Sequence, residues 1–110
     1  MSLTLNEYQE GTEYTRIYPD NVKVLYPAMG LAGEAGEILN KLKKVYRDDG
    51  GVLSEEKRLA IIDELGDVLY YVAALALDLE IDLESVSRAN LEKLASRKTR
   101  NTLSGSGDNR

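Results

Sequence analysis

The chain contains no cysteine and no histidine, and these two absences remove several classes of chemistry. Without cysteine, it can form no disulfide, no zinc–thiolate site and no thiolate nucleophile. Without histidine, it lacks the commonest general base and every catalytic pair in which histidine activates a serine. Any acid–base catalysis must therefore use Asp, Glu, Lys or Tyr side chains.

Features typical of membrane proteins and nucleic-acid-binding proteins are also scarce. The sequence has no apolar run long enough to cross a bilayer and no signal peptide, so we expect a cytoplasmic protein without a membrane partner. The net charge of −5 and the isoelectric point of about 4.8 disfavour binding to a nucleic acid. With 110 residues, the chain has the size of one small domain, for which oligomerisation is a reasonable expectation.

Apolar residues recur with helical spacing in four segments. These predicted helices cover approximately residues 4–18, 23–46, 55–79 and 82–98. Thr4 and Glu7 have the spacing of a capping box at the start of the first helix. Ser54 and Asp82 are good N-cap residues for the third and fourth helices.

The predicted fold class is therefore all-α. We expect an antiparallel helical bundle of about four helices, completed by oligomerisation. Residues 1–103 would form this helical domain, and residues 104–110 are a polar Gly/Ser tail. The tail could bind phosphate through its backbone, fold over a bound nucleotide or remain disordered.

Two pairs of carboxylates are the most informative functional feature. Glu34 and Glu37 form the first pair, Glu64 and Asp67 form the second, and 26 residues separate the pairs. The spacing of i, i+3 places both acids of a pair on one face of a helix, where like charges repel. A hard divalent cation such as Mg²⁺ would reverse that repulsion, because it binds carboxylate oxygens and substrate phosphates together. The alternative is two solvated acidic faces.

Four glycines lie beside these acids inside predicted helices. Gly30, Gly33 and Gly36 belong to the second helix, and Gly66 belongs to the third. Each glycine costs about 1 kcal/mol relative to alanine in a helix interior. Their presence indicates either the close approach of a ligand or another backbone, or ordinary close packing of helices.

With these residues in place, the chain resembles the MazG-like all-α nucleoside triphosphate pyrophosphohydrolases. The signature of that family is E-x-x-E, a spacer of one to three dozen residues, and E-x-x-D. The settings of the acids, LAGEAGE at residues 31–37 and DELGDVLYY at residues 63–71, are similar to the family in detail. The segment NLEKL at residues 90–94, Arg97 and the tail GSGDNR also look like the family, so the resemblance covers roughly residues 25–110.

The resemblance implies hydrolysis of a nucleoside triphosphate to the monophosphate and pyrophosphate. The expected substrate is a deoxynucleotide or a non-canonical nucleotide, and the expected cofactor is Mg²⁺, with Mn²⁺ as a substitute. The resemblance also implies a homodimer or homotetramer whose site lies at or near the subunit contact. The metal ligands would be Glu34, Glu37, Glu64 and Asp67.

Further roles follow from the same resemblance and from the absence of histidine. A carboxylate is the natural general base, and either Glu34 or Glu37 would serve as this catalytic residue. Asn90, Lys93 and Arg97 would face the substrate phosphates from the fourth helix.

The sequence leaves two alternative functions to consider, and it leaves the role of the tyrosines open. A di-iron carboxylate bundle is disfavoured, because it needs a Glu-x-x-His motif. A non-catalytic helical interaction or scaffold module derived from the same fold is the main alternative function. The tyrosines Tyr8, Tyr14, Tyr18 and Tyr26 could supply a ring that stacks on a base, or they could pack at the edge of the core.

Overall fold

A computed structural model describes residues 2–108 of the chain. The α-helices are α1 (Leu5–Thr12), α2 (Leu25–Asp48), α3 (Glu55–Asp78) and α4 (Leu83–Thr99), with short 3₁₀ turns at Glu13–Thr15 and Asp20–Val22. No strand occurs within the described range, so the all-α prediction is confirmed. None of the described helices is both long and apolar enough to cross a membrane. Residues 109 and 110, which end the predicted tail motif, lie outside the described residues.

The helix starts follow the capping signals of the sequence. The Thr4 hydroxyl accepts the N–H of Glu7 at 3.0 Å, and the Glu7 carboxylate accepts the N–H of Thr4 at 2.9 Å. This reciprocal pair is the predicted capping box. The side chains of Ser54 and Asp82 cap α3 and α4 in the predicted way.

The first helix ends earlier than the predicted boundary at about residue 18. Its α-helical part stops at Thr12, whose hydroxyl donates to the carbonyl of Gln9 at 2.7 Å. The hydroxyl of Thr15 likewise donates to the carbonyl of Thr12 at 3.2 Å. Such local side-chain bonds compete with the regular helix ladder, and here they accompany a 3₁₀ turn.

Two long helices form the main structural unit. Helices α2 and α3 are joined by a short loop at residues 49–54 and pack against each other as an antiparallel hairpin. Helix α1 packs on α3 and α4. The buried side chain of Gln9 links these three helices, because it donates to the carbonyls of Ala73 and Ile81 and accepts the N–H of Leu83.

The packing leaves an unusually large apolar surface. The buried hydrophobic side chains of the described residues are few: Val45, Ala73, Ala74, Ala76 and Leu83. The accessible surface is 8058 Å², whereas a compact monomer of this mass exposes about 6,100 Å². The radius of gyration is 16.9 Å, against about 13 Å for a compact domain of this length. The chain therefore has the dimensions of an incomplete bundle.

Candidate metal and nucleotide site

Helices α2 and α3 bring three of the predicted acids together. Glu34 on α2 meets Glu64 and Asp67 on α3, and one carboxylate oxygen of each lies within 4.8 Å of the others. The ligand oxygens of Mg²⁺ lie about 2.1 Å from the ion and therefore about 3–4 Å from one another. We call these three residues the acidic cluster. Small movements of their side chains would bring the three oxygens into contact with one cation.

The fourth predicted ligand lies outside this cluster. Glu37 is exposed on α2, one turn beyond Glu34, and it belongs to no group of converging acids among residues 2–108. Its negative charge is nevertheless one of the causes that raise the pKa of Glu34. Glu37 thus borders the acidic cluster without joining it.

The electrostatics of the acidic cluster favour a cation. The pKa of Glu34 is raised, first because its carboxyl shares a hydrogen bond with Glu64, then because of partial burial and the charge of Asp67. Lys41 provides one positive charge, with its Nζ 3.5 Å from Glu64 Oε1. The other oxygen of that residue, Oε2, is buried and has no hydrogen-bond donor. A divalent cation would satisfy this oxygen and neutralise the remaining negative charge, so the residues present fit the implied metal.

An aromatic cavity of about 460 Å³ lies between α3 and the segment that leads into α2. We call it the tyrosine cavity, and it is lined by Thr15, Ile17, Tyr18, Pro19, Tyr26, Tyr70 and Tyr71. None of these side chains carries a formal charge at neutral pH. The volume is within the range of ordinary ligand pockets, and the aromatic walls suit a flat heterocycle.

Tyr71 connects the tyrosine cavity with the acidic cluster. It follows Asp67 by one helical turn on α3. Burial raises the pKa of the Tyr71 hydroxyl, and the proximity of Tyr26 and Glu34 raises it further. A ligand could therefore place a ring among the tyrosines and a charged group at the acids.

The rings of the tyrosine cavity are ordered by contacts with one another. Tyr18 and Tyr26 stack with their centroids 4.7 Å apart and an angle of 23° between their planes. Tyr70 and Tyr71 meet edge to face, with centroids 5.2 Å apart and an angle of 82°. Both arrangements are favourable for aromatic pairs.

The four helical glycines have two different surroundings. A Cβ atom at Gly30 would overlap the ring of Tyr71, so this glycine makes room for a wall of the cavity. At Gly33, Gly36 and Gly66, a Cβ atom would meet no atom of the described chain within 4 Å. Close packing within the chain therefore explains only the first of the four glycines.

The predicted phosphate-binding residues lie apart from the acidic cluster. Asn90 and Lys93 are exposed on α4, where they border a shallow depression, and no hydrogen bond or ion pair of the described residues joins them to the acids. Arg97 is buried, and its Nη2 donates to the carbonyl of Asp108 in the tail at 2.9 Å. Because α4 packs chiefly on α1, the fold does not bring these three residues to the acids of the same chain.

The four tyrosines predicted as stacking candidates coincide only in part with those of the cavity. Tyr18 and Tyr26 line it, whereas the other two candidates lie outside it. Tyr70 and Tyr71 were not considered for base stacking. Their positions three and four residues after Asp67 were the available signal, because this spacing places them one turn from a predicted metal ligand.

Comparison with known proteins identifies the family. The family model of the MazG nucleotide pyrophosphohydrolase domain matches residues 26–101, and the chain therefore belongs to this family. The chain is also 50% identical to the Gene 37 protein of Mycobacterium phage L5 over 109 residues, a match that covers 94% of this chain and 96% of the phage protein. No solved structure matches the chain significantly. The resemblance predicted from the sequence is confirmed.

Proposed function

We propose that the protein hydrolyses a nucleoside triphosphate to the monophosphate and pyrophosphate, by Mg²⁺-dependent attack of water at the α-phosphorus. Membership of a nucleotide pyrophosphohydrolase family supports the reaction class. The observation that carries the proposal is the convergence of Glu34, Glu64 and Asp67 beside an uncharged aromatic cavity. Such a site has separate places for a divalent cation with phosphates and for a base.

The acidic cluster would hold Mg²⁺, which neutralises phosphate charge and lowers the pKa of a bound water. The chain itself must orient the triphosphate and accept the proton of the attacking water. We assign the general base to Glu37, because it borders the cluster but is not one of the three converging acids. Replacing Glu37 with Gln should then lower kcat while Mg²⁺ still binds, whereas replacing Glu34 with Gln should weaken Mg²⁺ binding itself.

The substrate would be a deoxynucleotide or a non-canonical nucleotide whose base enters the tyrosine cavity. Each ring that stacks on a base contributes about 1–3 kcal/mol, and the stacking tolerates different bases. The uncharged walls suit a neutral heterocycle better than a phosphate. This arrangement leaves the triphosphate directed towards the acidic cluster.

A second copy of the chain would complete the bundle. The surface in excess of that of a compact monomer is about 2,000 Å² per chain, or about 4,000 Å² for two chains, which lies within the range of roughly 2,000–5,000 Å² that obligate dimer interfaces bury in total. We therefore infer a homodimer, with a homotetramer as a higher assembly. Asn90 and Lys93, which do not reach the acids of their own chain, would then be available to a neighbouring site.

The test is pyrophosphate release from a panel of NTPs and dNTPs, with and without Mg²⁺. Glu64→Gln should abolish release, because the Glu64 side chain is only 15% exposed and its buried Oε2 has no hydrogen-bond partner among the described residues. Glu56→Gln is the matched control, since Glu56 is an exposed residue of the same helix. Release that survives in Glu64→Gln would contradict the proposed site.

The binding of Mg²⁺ with a nucleotide can be measured by thermal stability as well as by turnover. Mg²⁺ with a nucleotide should raise the melting temperature of the wild-type protein, because a ligand of the native state stabilises it by mass action. A protein that shows neither stabilisation nor turnover with any nucleotide would instead be the non-catalytic helical interaction module.

A further inference from the structure

We propose that Asp78 is a positioning residue that holds two walls of the tyrosine cavity ready for the base. This inference rests on the proposed function. Asp78 is the last residue of α3, and its side chain is completely buried. A buried carboxylate is costly unless it is paired and hydrogen-bonded, so its partners indicate what it does.

The partners of Asp78 come from the segment that leads into α2. Its Oδ2 accepts the hydroxyl of Tyr18 at 2.7 Å and the N–H of Val24 at 2.8 Å. The guanidinium of Arg16 forms an ion pair with its Oδ1. One carboxylate at the end of α3 therefore fixes three points of the chain between α1 and α2.

The backbone at Val24 is strained, and Asp78 stabilises it there. Val24 has φ 68° and ψ −53°, a region that β-branched residues rarely adopt. The N–H of Leu25 donates to the carbonyl of Lys23 at 2.7 Å, which closes a tight γ-turn around Val24. Helix α2 begins immediately after this turn, and Tyr26 lies in its first helical turn. The hydrogen bond from Val24 to Asp78 thus positions Tyr26, which forms part of the cavity wall.

Tyr18 is held directly. Besides its bond to Asp78, the Tyr18 hydroxyl accepts the Nε–H of Arg16 at 2.8 Å, and the guanidinium carbon lies 5.2 Å from the ring centroid. The ring also stacks on that of Tyr26. Rings that are fixed before binding lose less conformational freedom when a ligand arrives, so the affinity for a base is higher.

The test separates base binding from metal and phosphate binding. Asp78→Asn keeps the size of the side chain but removes the charge that pairs with Arg16. The KM for the nucleotide should rise about tenfold, because the two rings must then be ordered when the base binds. The kcat and the binding of Mg²⁺–pyrophosphate, which has no base, should remain at the wild-type values.

Two further variants complete the experiment. Glu80→Gln removes a carboxylate from an exposed position two residues further along and should leave KM unchanged. Tyr18→Phe keeps the ring and removes the hydroxyl with its bonds to Asp78 and Arg16, so its KM should rise in the same direction. It supplies the answer if Asp78→Asn does not fold, as judged by circular dichroism.

Nucleoside binding can be followed through tyrosine fluorescence, because the chain has no tryptophan. Weaker binding of the nucleoside with unchanged binding of Mg²⁺–pyrophosphate supports the inference. Equal loss of both ligands, a fall in kcat alone or an unchanged KM overturns it. Silence of the wild-type protein on every triphosphate overturns the proposed function instead, so the two failures are distinguishable.

Discussion

The apolar groove on α3 leads to a specific prediction about the assembly. The groove is lined by Ile62, Leu65, Gly66, Val68, Leu69 and Val72. Leu65 is 57% exposed although it lies in the middle of a long helix. If a second copy covers this groove, Leu65→Ala should weaken the dimer without disturbing the fold of the chain.

The size of the effect follows from the exposed fraction. Complete burial of a leucine side chain contributes about 1.5–3 kcal/mol. Burying the 57% that is exposed, and keeping the Cβ atom in alanine, corresponds to a loss of about 1 kcal/mol per copy. A symmetric dimer contains the contact twice, so the loss is about 2 kcal/mol. The dissociation constant should therefore rise about 30-fold.

Analytical ultracentrifugation over a dilution series measures this change. Val52→Ala is the control, because Val52 is 70% exposed but lies in the loop between α2 and α3 rather than in the groove. A wild-type protein that is a monomer at every concentration would contradict this prediction. Equal dissociation constants for Leu65→Ala and Val52→Ala would contradict it as well.

Three further predictions concern the cavity, a helix start and the acids. Gly30→Ala should raise the nucleotide KM by displacing the Tyr71 ring. At Gly33 a Cβ atom meets open space, so Gly33→Ala should leave the KM unchanged, and steady-state kinetics of the two variants tests this difference. Ser54→Ala should lower the free energy of unfolding by about 1 kcal/mol, measured by urea denaturation. Because the pKa of Glu34 is raised, the folded metal-free chain holds this proton more tightly than the unfolded chain, so its stability should fall as pH rises through that pKa. Urea denaturation in EDTA at several pH values tests the sign, and added Mg²⁺ should restore stability at neutral pH.

The positions and types of the helices could be predicted because the responsible interactions are local. A capping box joins residues three apart, and the apolar stripe of a helix repeats every three or four residues. The structure contains the predicted caps at Thr4, Ser54 and Asp82. The predicted end of the first helix was wrong. The hydroxyls of Thr12 and Thr15 donate to nearby backbone carbonyls there, and these hydrogen bonds compete with those of the regular helix.

The acid pairs could also be found from the sequence, since spacing alone places two carboxylates on one helical face. Which acids meet across two helices depends on how α2 and α3 are rotated against each other. The fold brings Glu34, Glu64 and Asp67 together and leaves Glu37 outside, although all four belong to the same motif. The spacing of residues within one helix does not determine how that helix is rotated against its neighbour.

The tyrosine cavity and its support were decided by the tertiary structure alone. Asp78 bonds to Tyr18 and Val24 across sequence separations of 60 and 54 residues. A sequence pattern reports neighbours within a few residues, whereas these contacts arise only when the end of α3 packs against the start of α2. The sequence alone thus determined the helices, the family and the acidic motif, because each depends on short-range spacing. Packing between distant segments determined which acids converge, where the base would lie and what holds the cavity open.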